Sequence, residues 1–151
     1  GLVYVCSGFD KPTLYAIRPD GVGDVTETHV AWKSDRQAPH NSSVLLAGDE
    51  IYMVSDDGVG SCLDARTGQV HWTKRLGGNF SASPLLADGV IYFQNETGTA
   101  CVVKASKEFQ QLAKNTLDDI PQERTFASYA VGEGALLLRS EFHLYRIEAR
   151  P

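Results

Sequence analysis

Four short β-rich triplets recur along the chain: Val3-Tyr4-Val5, Ile51-Tyr52-Met53, Ile91-Tyr92-Phe93 and Leu136-Leu137-Leu138. Their first residues are 48, 40 and 45 positions apart. A period of that length confines the fold to arrays in which each repeat is one supersecondary unit that buries its faces against its neighbours. Ahead of the last three triplets stand SSVLLAGDE, SASPLLADG and FASYAVGEG. Each carries a Ser eight residues before its triplet (Ser43, Ser83, Ser128), then a short apolar run and a Gly-containing turn. After the triplets come TLYAIRP, SCLDAR, ACVVKA and HLYRIEA, and tryptophans close two of the units, Trp32 in HVAWKS and Trp72 in QVHWTK.

Each unit therefore reads as four short strands, A to D, joined by turns such as Ala87-Asp88-Gly89 and Asp56-Asp57-Gly58. β-branched and aromatic enrichment between Gly, Asp and Asn punctuation favours strand over helix. Only KEFQQLAKN, residues 107–115, has helical spacing, and its place in the repeat makes it a fourth strand. Four strands per unit at a period near forty predict an all-β fold, a β-propeller of four-stranded antiparallel blades. The strand order is B-C-D, A-B-C-D, A-B-C-D, A-B-C, about 3.5 blades in a single domain over 1–151, with units near 1–36, 42–78, 82–118 and 127–151. The expectation is a partial propeller, the C-terminal portion of a ring of six to eight blades. Its first partners are then the missing blades of the parent chain or, less favourably, a second copy.

The stretch Cys62-x-Asp64-x-x-Thr67-Gly68-x-x-x-Trp72 has a physical reading of its own. Asp64 can accept hydrogen bonds from the turn that follows, Gly68 is free to take positive φ, and Trp72 can lie flat between blades. The same stretch resembles the tryptophan-docking motif A-x-D-x-x-T-G-x-x-x-W of the quinoprotein-like (PQQ-like repeat) propellers, with Cys62 in the Ala place. That family includes pyrroloquinoline-quinone dehydrogenases and the propeller lipoprotein of the outer-membrane barrel-assembly machinery. The resemblance covers essentially the whole chain. It implies a docking role for Asp64, Thr67, Gly68, Trp72 and Trp32, and a periplasmic or cell-surface setting. Two units depart from the motif: VGDVTET replaces Thr-Gly in the first, and the third has Lys104 for Asp and no tryptophan. Docking is expected to be weaker there.

Chemistry is thinner than architecture. A net charge of −5 without clustered Lys or Arg argues against nucleic acid, and no apolar run is long enough for a membrane-spanning helix. Cys6, Cys62 and Cys101 form no CxxC and read as free thiols packed as small apolar residues. Family members that oxidise alcohols hold the quinone beside a disulfide of neighbouring cysteines, stacked on a tryptophan, with Ca2+ on Glu, Asn and Asp. No Cys-Cys pair stands here, and the acid pairs Asp56-Asp57 and Asp118-Asp119 read as solvated turns. His29, His40, His71 and His143 occur singly, and Gly21-Val22-Gly23 and Gly58-Val59-Gly60 lack the third glycine of a phosphate loop. Asn41, Asn79 and Asn95 match the glycosylation pattern but read as loop residues.

The expectation is no cofactor, no metal and no catalytic residue. A non-catalytic scaffold or binding domain for a protein or glycan is favoured, and a fragment of a pyrroloquinoline-quinone-dependent dehydrogenase is the alternative. The candidate binding residues are Arg36, Gln37, His40, Asn41, Asn79, Phe80, Arg124, Thr125 and Phe126, which precede the three A strands and should meet at one rim.

Overall fold

The structure, a computed structural model, describes residues 1–8, 10–117 and 123–148. The expected unit boundaries at 118 and 151 and the pair Asp118-Asp119 lie outside them. Fourteen strands and no helix are present among the described residues. They form four antiparallel sheets, successive blades of a β-propeller. The first sheet holds β1 (Val3–Ser7), β2 (Thr13–Ile17) and β3 (Val30–Ser34). The second holds β4 (Leu45–Ala47), β5 (Glu50–Val54), β6 (Val59–Asp64) and β7 (Val70–Arg75). The third repeats it as β8 (Leu85–Ala87), β9 (Val90–Gln94), β10 (Thr99–Lys104) and β11 (Gln111–Thr116). The fourth comprises β12 (Ala130–Gly132), β13 (Ala135–Arg139) and β14 (Leu144–Glu148). The segment with helical spacing supplies β11, and residues 105–108 bend into it.

Alternation along each strand sends one set of side chains back to the preceding sheet and the other on to the next. Tyr52, Val54, Cys62 and Trp72 of the second sheet meet Ile91, Phe93, Cys101 and Val103 of the third in one buried cluster. One interface earlier, Leu14 with half-buried Tyr4, Cys6 and Trp32 meets Ile51, Met53 and Leu63. The three cysteines are free, with Cys62 and Cys101 buried in these interfaces. Burial pushes the Cys62 thiol up to about 11, so it stays protonated and behaves as a small apolar side chain.

The Asp64 turn is a socket. Asp64 Oδ1 accepts from the Arg66 N–H, the Thr67 N–H and the Thr67 hydroxyl at 3.0, 2.8 and 2.8 Å. These donors, Thr67 foremost, hold its carboxyl below the ordinary value. The tryptophan that fills this socket comes from the preceding sheet: Trp32 Nε1 donates to the Ala65 carbonyl at 3.0 Å, and the Tyr4 hydroxyl joins it at 2.9 Å. Gly68, at φ 74°, is required twice over, because a Cβ there would stand 2.7 Å from Trp32 Cε3. Trp72 leaves its own motif in turn and donates to the Ser106 carbonyl of the third sheet at 3.1 Å. The turn at Lys104 has lost its Asp, yet Phe109 receives the indole edge-on, with centroids 5.1 Å apart.

Register explains how the indoles reach across. The pairing of each D strand shifts at one step, between Ala16 and Ile17, between Cys62 and Leu63, and between Val102 and Val103. Such a bulge turns the strand and re-aims the side chain beside it. Trp32 pairs with Ala16, Trp72 with Cys62 and Ala113 with Val102, so Ala113 occupies the tryptophan's place in the third sheet. The repeated serines link the inner edge. The Ser43 N–H donates to Ser83 Oγ and the Ser83 N–H to Ser128 Oγ, each at 2.9 Å.

Two stability predictions follow from this packing. Trp72 is 7% exposed, so Trp72→Ala is expected to lower unfolding free energy by about 3–5 kcal/mol in denaturant titration. His71, whose buried Nε2 has no hydrogen-bond partner among the described residues, should change it by less than about 0.5 kcal/mol when replaced by Ala. Equal, small losses at both positions would remove the fastening role. Gly68→Ala should destabilise more than Gly89→Ala: both glycines have positive φ, 74° and 76°, but only Gly68 faces an indole.

Candidate functional site

The loops that precede β4, β8 and β12 come together with the turns joining the second and third strands of each unit. An acid stands at the same repeat position in three of these turns: Asp56, Glu96 and Glu141, each after a polar residue (Ser55, Asn95, Ser140). Each carboxylate holds the incoming loop of its own unit. Asp56 accepts from the His40 N–H at 2.9 Å and from Asn41 Nδ2 at 2.7 Å. Glu96 accepts from the Ser81 hydroxyl at 2.6 Å, and Glu141 from the Arg124 N–H at 3.0 Å. The backbone carbonyls of the first two acids reach forward to the next sheet, accepting from Phe80 N–H and Thr125 N–H, both at 3.0 Å. Asp56, which read as a solvated turn residue, is therefore a structural acceptor.

The predicted residues divide by this geometry. Phe80 is 2% exposed and Thr125 fully buried. Phe80 packs in the second interface, while the Thr125 hydroxyl donates to the Asn95 carbonyl at 2.6 Å and accepts from the Gly98 N–H at 3.3 Å. Neither side chain faces solvent. Arg36, Gln37, His40, Asn41, Asn79, Arg124 and Phe126 are exposed. Gln37 has a positive φ of 57°, an uncommon conformation outside glycine. Arg124 lies 5.8 Å over the Phe126 ring and 3.8 Å from Glu96, a cation–π arrangement that leaves the guanidinium reaching solvent. Beside them Arg124, Phe126, Arg139 and Glu141 line a shallow cavity of about 240 Å3. Asn95 is buried and its Oδ1 accepts from the Thr97 and Thr99 N–H groups at 3.0 and 2.8 Å, so it is a turn cap rather than an acceptor for sugar.

Sequence reasoning passed over Glu123, which the structure buries at the start of the last loop. Its carboxylate accepts from the Ser140 hydroxyl, from His143 Nδ1 at 2.7 Å and from the Phe142 N–H at 3.3 Å. It thus ties the loop to the turn of the fourth sheet. A signal existed only in the serine and acid of that turn, since Glu123 has no counterpart in the other loops.

The quinone and calcium of the family's alcohol oxidases do not fit the described residues. Hard Ca2+ takes six to eight oxygens, whereas both Asp56 oxygens are engaged by the His40 and Asn41 donors. Asp57 takes the Ser55 hydroxyl, and both indoles are wedged between sheets with their N–H groups on carbonyls. Among the described residues no group of three or more His, Cys, Asp or Glu is placed to hold a metal. No helix among them is long and apolar enough to cross a membrane.

Comparison with known proteins adds three findings. Residues 20–137 match the family model described as outer membrane protein assembly factor BamB. A curated relative, the polyvinylalcohol dehydrogenase of Sphingopyxis sp. (strain 113P3), is 25% identical over 123 residues, covering 76% of this chain and 19% of that protein. The chain thus spans about a fifth of the length of that relative. Among solved structures, BamB from Moraxella catarrhalis superposes with a TM-score of 0.69 at 15% identity, over 92% of this chain and 40% of that one. The quinohemoprotein alcohol dehydrogenase ADHIIG from Pseudomonas putida HK5 superposes with 0.70 at 16% identity, over 93% and 27%.

Glu123 generates a pH prediction. The Ser140 hydroxyl, the Phe142 N–H and His143 all hold its carboxyl below the ordinary glutamate value. A folded value below the unfolded one gives stability that is full above the unfolded value and is lost as pH falls through the folded one. Thermal melts should therefore fall in temperature from about pH 4.5 downward, and Glu123→Gln should flatten that acid limb while leaving neutral pH the less stable. An unchanged acid limb in the variant would show that the carboxylate is not bonded as described.

Proposed function

Because the chain belongs to the family described as outer membrane protein assembly factor BamB, we propose that it is part of a non-catalytic propeller whose loop rim binds a polypeptide in the periplasm or at the cell surface. The observation that carries this reading is the rim itself: three successive loops clamped by Asp56, Glu96 and Glu141. Clamping leaves the backbone rigid while Arg36, His40, Arg124 and Phe126 stay exposed. A pre-ordered surface loses little conformational entropy on binding, and Arg with aromatic residues supplies most of the energy at protein interfaces. The blades that complete the ring belong to the longer protein. On the open back face of the first sheet, Val3 and Val5 are 48% and 46% exposed at the positions of buried Ile51 and Met53, an apolar surface suited to another blade.

A second reading has one observation in its favour: the curated relative above is a dehydrogenase. In that case this chain would be a sector of a pyrroloquinoline-quinone enzyme, with the quinone site in other blades.

Photo-crosslinkers placed at Arg36, Arg124 and Phe126 in the parent protein are expected to capture one envelope polypeptide. The same group at Lys74, on an outer strand, should capture none. Indistinguishable adducts from rim and outer strand would overturn the binding rim. Stoichiometric uptake of pyrroloquinoline quinone with Ca2+, coupled to dye reduction by the parent protein, would overturn the non-catalytic reading in favour of the second.

A further inference from the structure

The three interfaces between sheets are not equivalent, and the third is where the repeat withdraws its largest side chains. In the second interface Trp72, Tyr52 and Phe80 are 7%, 1% and 2% exposed. In the third, Ala113 stands at the indole's place in the ladder. Thr125 stands where Phe80 does, each sending its N–H to the preceding acid's carbonyl. Gln94 stands where Val54 does, each being the last residue of its strand. Between the third and fourth sheets lies a cleft of about 520 Å3, whose walls include Tyr92, Gln94, Ala100, Tyr129, Leu136 and Ile147. That volume falls within the range of small-molecule sites, and mostly apolar walls with a few convergent polar groups are their usual make-up.

We propose that this cleft binds a flat aromatic group, neutral or cationic, with a hydrogen-bonding edge. Shape comes from the walls: aliphatic Leu136 and Ile147 belong to the fourth sheet and Ala100 to the third, with Tyr92 and Tyr129 edge-on at 6.1 Å. An edge-to-face pair offers a third ring both a face and an edge. The polar handle is Asn115, an exposed residue of the lining, and behind it the wall is ordered by Gln94, 1% exposed. Its Nε2 donates to the Asn95 carbonyl at 3.0 Å and its Oε1 accepts from the Tyr129 hydroxyl. A buried amide in a position occupied elsewhere by valine is costly unless bonded, and here it fixes the orientation of Tyr129 at the cleft wall. Burial pushes the Tyr129 hydroxyl up to about 12, which keeps that wall uncharged at neutral pH. Charge selects the ligand class: among the described residues the lining includes Asp88 and Glu148 and no Lys or Arg. Glu148 is shared with Arg146 at 2.5 Å, so the preference for a cation over an anion is moderate. The cleft uses none of the exposed rim residues, and its occupancy is independent of the reading above.

Indole, tryptamine and indole-3-acetate titrated into the chain test this, with binding followed by calorimetry and by amide shift changes. Saturable indole binding is expected, with shifts centred on Tyr129, Leu136 and Ile147. Tryptamine should bind severalfold more tightly than indole-3-acetate, the gap shrinking as salt screens Asp88 and Glu148. Val131 lines the cleft and is 58% exposed, so Val131→Trp should fold and fill the space, weakening indole at least about tenfold. Leu46, also exposed and at the matching place on β4, supplies the control: Leu46→Trp should leave binding unchanged. The proposal is overturned by no saturation up to indole's solubility limit, by shifts that map elsewhere, or by equal effects of the two substitutions. Equal affinity for the amine and the acetate would overturn the charge class. Binding of N-acetyl-tryptophanamide would identify a polypeptide side chain as a competent source of the ring, and its failure beside indole would restrict the site to small molecules.

Discussion

An indole lodged in the turn of a neighbouring sheet is the interaction on which this architecture rests. Each sheet is too small to bury its own faces, so its stability lies in contact with the next. Trp32 and Trp72 make that contact specific as well as apolar, because the N–H of each must find one carbonyl, Ala65 or Ser106, in the following sheet. A ring sliding over a flat aliphatic surface would have no preferred position; a ring with a donor at its edge has one. Gly68 completes the lock by leaving room for the indole where any side chain would collide with it.

Polar contacts distribute the remaining order around this apolar seam. At the inner edge the serine hydroxyls accept neighbouring N–H groups from sheet to sheet. At the loop end the acids of three turns hold the incoming connections. The serines, Asp56 and Glu141 accept from backbone N–H groups, whereas Glu96 takes the Ser81 hydroxyl; bonds to backbone fix chain position without demanding one side chain at each recognition site. The exposed residues beside those clamps can then vary in charge and size while the loops keep their course. The third interface shows what happens when the seam lacks its indole: the Thr125 hydroxyl and the buried Gln94 amide replace apolar bulk with hydrogen bonds, and a cleft remains.

Much of the fold was legible because repetition multiplies a weak local signal. One triplet of β-formers says little; four at nearly constant spacing, the last three each after a serine and a glycine turn, define the strands. β11 shows the strength of this reasoning, since its residues carry helical spacing and only their place in the period makes them a strand. The site was less legible. Phe80 and Thr125 sit among exposed loop residues in the sequence, yet both are buried, because their backbone N–H groups are drawn onto the carbonyls of a neighbouring turn. Glu123 was legible only through the serine and acid of the turn it meets, as its partners, Ser140, Phe142 and His143, lie in a hairpin turn that only folding brings to it.

By itself, then, the sequence determined the strand order, the grouping into four sheets and the identity of the residues that join them, since period and turn chemistry are local properties of the chain. Tertiary structure alone decided the direction of the joints. The Asp64 turn receives the tryptophan of the sheet before it and sends its own onward, and the third sheet faces its neighbour across a cleft. The physical reason is that direction depends on the bulge that re-aims each outer strand and on the separation of two sheets, and neither quantity belongs to any one segment.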